Sequence, residues 1–127
     1  MQGHRDLKAY RLAYKLAMDI FNLSKTFPGE ERYSLTDQIR RSSRSVAANV
    51  AEAFRKRRYP NMFISTLTDA DGEATEMQVW LAVACDCGYV PKGRRDEMTT
   101  GYEELGRMLG GMRAYPEKFS MQRAEKQ

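Results

Sequence analysis

The sequence predicts an all-α fold, an antiparallel up-down-up-down four-helix bundle. Three observations carry that prediction. Proline and glycine divide the 127-residue chain at Pro28-Gly29, at Tyr59-Pro60, from Gly88 to Gly93 around Pro91, and at Pro116. The intervals between those breaks run to roughly 22 to 30 residues, long enough for bundle helices. Inside each interval apolar residues recur at spacings of three and four, and the alternating β-branched runs of strands are missing. A chain of this length is expected to hold one core. Residues 1–116 are read as the bundle and residues 117–127 as a polar C-terminal tail.

The first helix is expected from about Asp6 to Phe27. Leu7, Tyr10, Tyr14, Ala17, Phe21 and Ser24 share one face, and Leu12, Leu16 and Leu23 form a second apolar stripe beside it. A helix apolar over more than half its circumference needs more than one neighbouring surface. The second stripe therefore reads either as a widened core face or as a subunit interface, and Leu12, Leu16 and Leu23 are the expected oligomer-interface residues.

The second helix is expected to start at Ser34, which with Asp37 has the form of a capping box. Leu35, Ile39, Ser43, Val46, Val50 and Ala53/Phe54 make its core face. On the far side Arg40, Arg44, Arg55 and Arg58 fall within an arc of roughly 60°, with Arg41 at its edge. Ala48 and Ala51 lie inside that stripe, where small side chains allow close approach. The run Arg55-Lys56-Arg57-Arg58 also suits the negative end of a helix.

The third helix carries the strongest pattern, with Phe63, Leu67, Ala70, Ala74, Met77, Leu81 and Ala84 alternating four and three apart. That is a heptad seam of the kind that packs at shallow crossing angles. Pro60 suits its first turn and Gly88 a left-handed C-terminal cap. Asp69, Glu73 and Glu76 form an acidic face, while Trp80, Val83 and Cys87 extend the apolar surface near the end. The fourth helix, roughly Asp96 to Tyr115, repeats the spacing with Met98, Tyr102, Leu105, Leu109 and Met112. Gly101, Gly106, Gly110 and Gly111 weaken it intrinsically, so packing must hold it.

Function classes narrow by subtraction. No GxGxxG, GxxxxGK[ST], HExxH or GxSxG motif occurs, and the single histidine is His4. Cys85 and Cys87 have no further Cys or His partners that would complete a metal site, and they read as small buried apolar residues. No catalytic residue, cofactor or metal is therefore expected. No apolar run approaches membrane-spanning length, and the charged start MQGHRDLKAY is unlike a signal peptide. A cytoplasmic protein without membrane contact is the expectation.

Charge points to a partner class. The net charge is +4, but residues 1–58 hold 13 Lys/Arg against 6 Asp/Glu, and residues 59–127 hold 8 against 11. Either a polyanion meets the basic half or the two halves face each other. Nucleic-acid binding through Arg40, Arg41, Arg44, Arg55, Lys56, Arg57 and Arg58 stands against a structural reading in which Arg40, Arg44 and Arg55 pair with the acidic face of the third helix, within or between subunits, or are merely solvated. Tyr10, Tyr14 and Trp80 are residue types that stack on bases, but their helical spacing reads as core or interface. Asn49 and Glu52 read as hydrogen-bonding or pairing residues rather than catalytic ones. An enzyme built on Asp69, Glu73 and Glu76 is the most distant alternative.

Particular residues carry a family resemblance. Asp6-Leu7-x-x-Tyr10 opens the first helix, and Phe27-Pro28, Glu31 and Tyr33-Ser34-Leu35 follow. The most specific block runs Gln38-Ile39-Arg40-Arg41-Ser42-Ser43-x-Ser45-Val46-x-x-Asn49-Val50-Ala51-Glu52. Gly72-x-x-x-Glu76, Gly88-Tyr89 and Arg107-Met108-Leu109 continue it. Together these resemble the four-helix bundle proteins encoded by intervening sequences in bacterial 23S ribosomal RNA genes. Ala53 and Glu73 depart from it, where the family often has glycine and serine. The resemblance implies a closed homopentamer without known catalysis. A relative in that family is the accessory variability determinant of diversity-generating retroelements, a basic pentamer that binds nucleic acid and a reverse transcriptase. RNA or DNA, further copies of the chain, and a protein such as a reverse transcriptase are thus the implied partners. The alternative is a structural or protein-interaction oligomer with no nucleic-acid role.

Overall fold

The computed structural model describes residues 3–119. It contains four helices, α1 (Lys8–Ser24), α2 (Leu35–Arg55), α3 (Pro60–Asp86) and α4 (Lys92–Ala114). Short 3-10 turns at His4–Asp6, Gly29–Glu31 and Pro116–Phe119 flank them. Each helix packs on the next in the chain, and α4 closes the ring against α1. This is the predicted antiparallel bundle.

The expected seams of α2, α3 and α4 form the core. Val46, Val50, Phe63, Leu67, Met77, Leu81, Leu105 and Leu109 are fully buried, and Met98 and Tyr102 nearly so. Such side chains supply the main stabilising term, on the order of 1.5–3 kcal/mol each. Helix α1 differs from its reading. Its core face is Ala9, Ala13, Leu16 and Ile20, with Leu7 and Ser24 at either end. Tyr10, Ala17 and Phe21 are half-buried and Tyr14 is 53% exposed. The reason is clearance. Leu16 reaches so close to α4 that a Cβ built on Gly101 would lie 2.7 Å from its Cδ2. Small alanines fit that spacing and tyrosines do not. Gly101, read from sequence only as a helix weakener, is what admits Leu16.

The predicted oligomer stripe divides in the same place. Leu16 is 4% exposed and belongs to the bundle's own core, while Leu12 and Leu23 are half-buried against it.

Helix ends combine expected and unexpected devices. Pro60 stands in the first turn of α3, as anticipated. Gly88 takes φ +82° after α3, and Tyr89 N–H reaches the Ala84 carbonyl at 2.9 Å while Gly88 N–H reaches that of Cys85 at 2.9 Å. This paired closure needs a left-handed residue, which glycine adopts without strain. The Ser34/Asp37 capping box does not form. Instead Ser34 Oγ donates to Glu31 Oε1 at 2.6 Å, and the same oxygen accepts Leu35 N–H at 3.3 Å. The Gly29–Glu31 turn brings Glu31 within reach of the helix start, where a carboxylate meets free N–H groups.

Helix α4 begins at Lys92, four residues before the expected Asp96, because Lys92–Asp96 (2.8 Å) and Arg94–Glu97 (2.6 Å) pairs support an extra turn. Arg113 on α4 pairs with Asp71 on α3 at 2.9 Å. Past the expected boundary at residue 116, the tilted ring of Phe119 packs against Phe63 with centroids 5.7 Å apart. The rest of the expected tail, residues 120–127, lies outside the described residues. Cys85 is half-buried and Cys87 exposed, so the pair is not the buried apolar couple anticipated. Cys87 caps α3 at its solvent end.

Candidate nucleic-acid interface

The seven basic residues picked out on the second helix do not act as one surface. Arg40 turns toward α1, where its Nε donates to Ser24 Oγ at 2.8 Å and its guanidinium lies 4.9 Å from the Phe21 ring centroid. Arg41 leans the other way, 3.7 Å from Asp37 and close enough to Glu73 to favour its ionised form. Lys56 is paired with Glu52 at 3.0 Å and reaches Thr66 Oγ1 at 3.5 Å. These three are largely occupied by the bundle itself.

Arg44 and Arg55 are arranged differently, with no carboxylate partner among the described residues. Arg55, Arg57 and Arg58 line one concavity of about 660 Å³ with His4, Ala51 and Tyr59. Arg57 donates to the Phe54 carbonyl at 2.9 Å and lies 3.9 Å from the Phe54 ring centroid, which holds its fork in place. Burial, and then the neighbouring charge of Arg55, push the Arg57 guanidinium below its ordinary value. Like charges are thus gathered where an incoming anion would relieve them.

Beside that concavity runs a groove of about 490 Å³ between α1 and α2, lined by Tyr10, Tyr14, Met18, Phe21, Arg44 and Ala48 among others. Ala51 borders both spaces. His4 packs edge-on against Tyr10 with ring centroids 4.7 Å apart, and Tyr10 lies 6.0 Å from Tyr14. Aromatic rings therefore connect the basic concavity to the groove.

Within one chain, Arg40, Arg44 and Arg55 do not pair with the third helix. Arg40 goes to α1, and among the described residues no carboxylate pairs with Arg44 or Arg55. On the acidic face, burial and then Glu76 raise the carboxyl pKa of Glu73. Asn49 donates to Ser45 at 3.2 Å and Glu52 pairs with Lys56, so both serve α2 itself. Trp80 donates to Ser42 Oγ at 3.3 Å, tying α3 to α2.

Sequence reasoning missed His4, Tyr59 and the outward side of Tyr10 and Tyr14 as parts of one region. For Tyr59 a signal existed, because it follows the basic run directly. For His4 there was none, since only the packing of the first turn onto α2 brings it there. Among the described residues no three His, Cys, Asp or Glu side chains converge as metal ligands, and no helix is long and apolar enough to cross a membrane.

Comparison with known proteins agrees with this architecture. A family model described as 23S rRNA-intervening sequence protein matches residues 5–111. No curated protein matches the chain. A crystal structure of a protein of unknown function from the S23 ribosomal protein family of Bacteroides thetaiotaomicron superposes with a TM-score of 0.76 at 25% identity. That match covers 84% of this chain and 95% of the other. With four helices in the expected order and the family pattern running over nearly the whole bundle, the chain belongs to the 23S rRNA-intervening sequence protein family.

Proposed function

We propose that the protein is a non-enzymatic accessory or scaffold that holds RNA or DNA by its phosphates at the basic end of α2. One observation carries the reading: Arg55 and Arg57 come together in a single concavity, with Arg44 on the groove beside it, and among the described residues no carboxylate pairs with Arg44 or Arg55. Guanidinium forks match phosphate oxygens in two-point geometry, and each phosphate neutralised releases condensed counterions. The chain acts as a homo-oligomer in this reading, with the family resemblance supplying the pentamer. The exposed α3 residues Val79 and Val83, beside half-buried Trp80, are apolar surface suited to a second copy. A ring would repeat the basic concavity in each subunit and add weak contacts through avidity. A partner enzyme such as a reverse transcriptase would then receive nucleic acid from the ring.

The test is anisotropy of labelled RNA and DNA across a salt series, with wild type and an Arg44→Gln/Arg55→Gln variant. Log affinity should fall linearly with log salt, and the variant should flatten the slope by about 0.9 for each duplex phosphate that it no longer neutralises. Its melting temperature should stay close to wild type. Absence of binding at low salt would leave the structural oligomer as the reading.

A further inference from the structure

The groove between α1 and α2 has features that phosphate binding does not use. We infer that this groove takes an unpaired strand, with bases stacked on Tyr14 and Tyr10 while the basic concavity at its end holds the backbone. The inference rests on the nucleic-acid reading above and narrows it to single-stranded RNA or DNA.

Tyr14 is 53% exposed and Met18 is 44% exposed on α1, so the groove offers a large ring and a polarisable thioether to solvent. Its opposite side is built of Ala47, Ala48 and Ala51, which leave room for a flat group. Arg44 lies on the same wall and Arg55 beyond Ala51, both without an acidic partner among the described residues. Apolar faces and cations therefore occur side by side, in step with a strand whose bases and phosphates also run side by side.

A duplex fits this groove poorly. It presents phosphates outward and keeps base faces stacked inside, so Tyr14 would meet only charged backbone. Pressing phosphate onto an alanine and aromatic floor removes its water without replacing the hydrogen bonds. An unpaired base on a tyrosine has no such penalty, and the contact tolerates any sequence because every base has a π face. A second copy of the chain is the competing occupant, and it would have to bring a carboxylate of its own to Arg44, since none lines the groove among the described residues.

The deciding experiment measures anisotropy of an oligouridylate of about 16 nucleotides and of a hairpin duplex at one salt concentration. Wild type should bind the single strand more tightly. Tyr14→Ala should weaken single-strand binding about tenfold and leave duplex binding unchanged. Its salt slope should match wild type, and Tyr14→Phe should restore the affinity. Since Tyr14 faces solvent, a thermal melt should show both variants folded. Equal, arginine-dependent wild-type binding to both probes would overturn the single-strand inference while preserving phosphate binding. Binding to neither probe would remove both readings. A fall in assembly mass for Tyr14→Ala by light scattering would assign the groove to a second copy and overturn the inference.

Discussion

The Tyr89 hydroxyl donates to Glu31 Oε2 across 2.8 Å, joining the turn after α3 to the turn before α2. The two residues are 58 positions apart in the chain. Glu31 uses its other oxygen to receive Ser34 and the first N–H of α2, so one carboxylate closes two helix ends.

That hydrogen bond predicts a pH signature. The Ser34 and Tyr89 hydrogen bonds hold the Glu31 carboxyl below its ordinary value of 4.5. A depressed folded-state pKa means stability present above that ordinary value and lost as pH falls through the folded one. Tyr89 is pushed up to about 12 from 10.0, chiefly by the same bond, so stability also declines as pH rises across that window. Tyr89→Phe should move the Glu31 titration upward in carboxyl NMR and soften the acid limb of the melting curve. An unchanged Glu31 titration would contradict the bond.

Glu73 should behave in the opposite sense. Burial and Glu76 raise its pKa, so its contribution is most favourable below 4.5 and deteriorates as pH rises through the folded value. Glu73→Gln should therefore raise the melting temperature at neutral pH and make little difference near pH 4. A drop in melting temperature at neutral pH would mean that attraction to Arg41 outweighs burial.

Leu81 is fully buried in the α3 seam. Leu81→Ala should cost about 2–5 kcal/mol in denaturant melts. A cost under about 0.5 kcal/mol would mean the seam is not the core.

The glycines of α4 should separate by clearance. At Gly110 an added Cβ meets nothing within 4 Å, so Gly110→Ala should stabilise by up to about 1 kcal/mol. At Gly101 it would meet Leu16 at 2.7 Å. There overpacking of about 1–3 kcal/mol opposes the helix gain, and the net change should be destabilising. Comparing the two melts decides the point, and equal stabilisation would refute the close approach.

The arginines should also divide. Arg40→Ala removes the Ser24 hydrogen bond and the Phe21 ring contact, and should destabilise by about 1–2 kcal/mol. Arg44→Ala should change stability by less than about 0.5 kcal/mol, since no acid pairs with it among the described residues. Equal destabilisation in urea would place both arginines in the bundle's framework.

The helices, their number and the seams of α2, α3 and α4 were legible from residue spacing, because a buried stripe repeats every three or four positions whatever its partners. Pro60 and Gly88 were legible because each follows from backbone chemistry at one position. On α1 spacing alone was ambiguous: Tyr10, Tyr14 and Phe21 repeat as regularly as Ala9, Ala13, Leu16 and Ile20. The distance between α1 and α4 at Gly101 made the alanine face the inner one. Residue type announced the basic run, but not which members the bundle itself would occupy. Arg40 and Arg44 lie one turn apart on α2, yet Ser24 and Phe21 lie within reach of Arg40 whereas the groove opens beside Arg44. Helical periodicity specifies a side chain's angle about its own axis. What stands at that angle is decided by how far away the neighbouring helix packs.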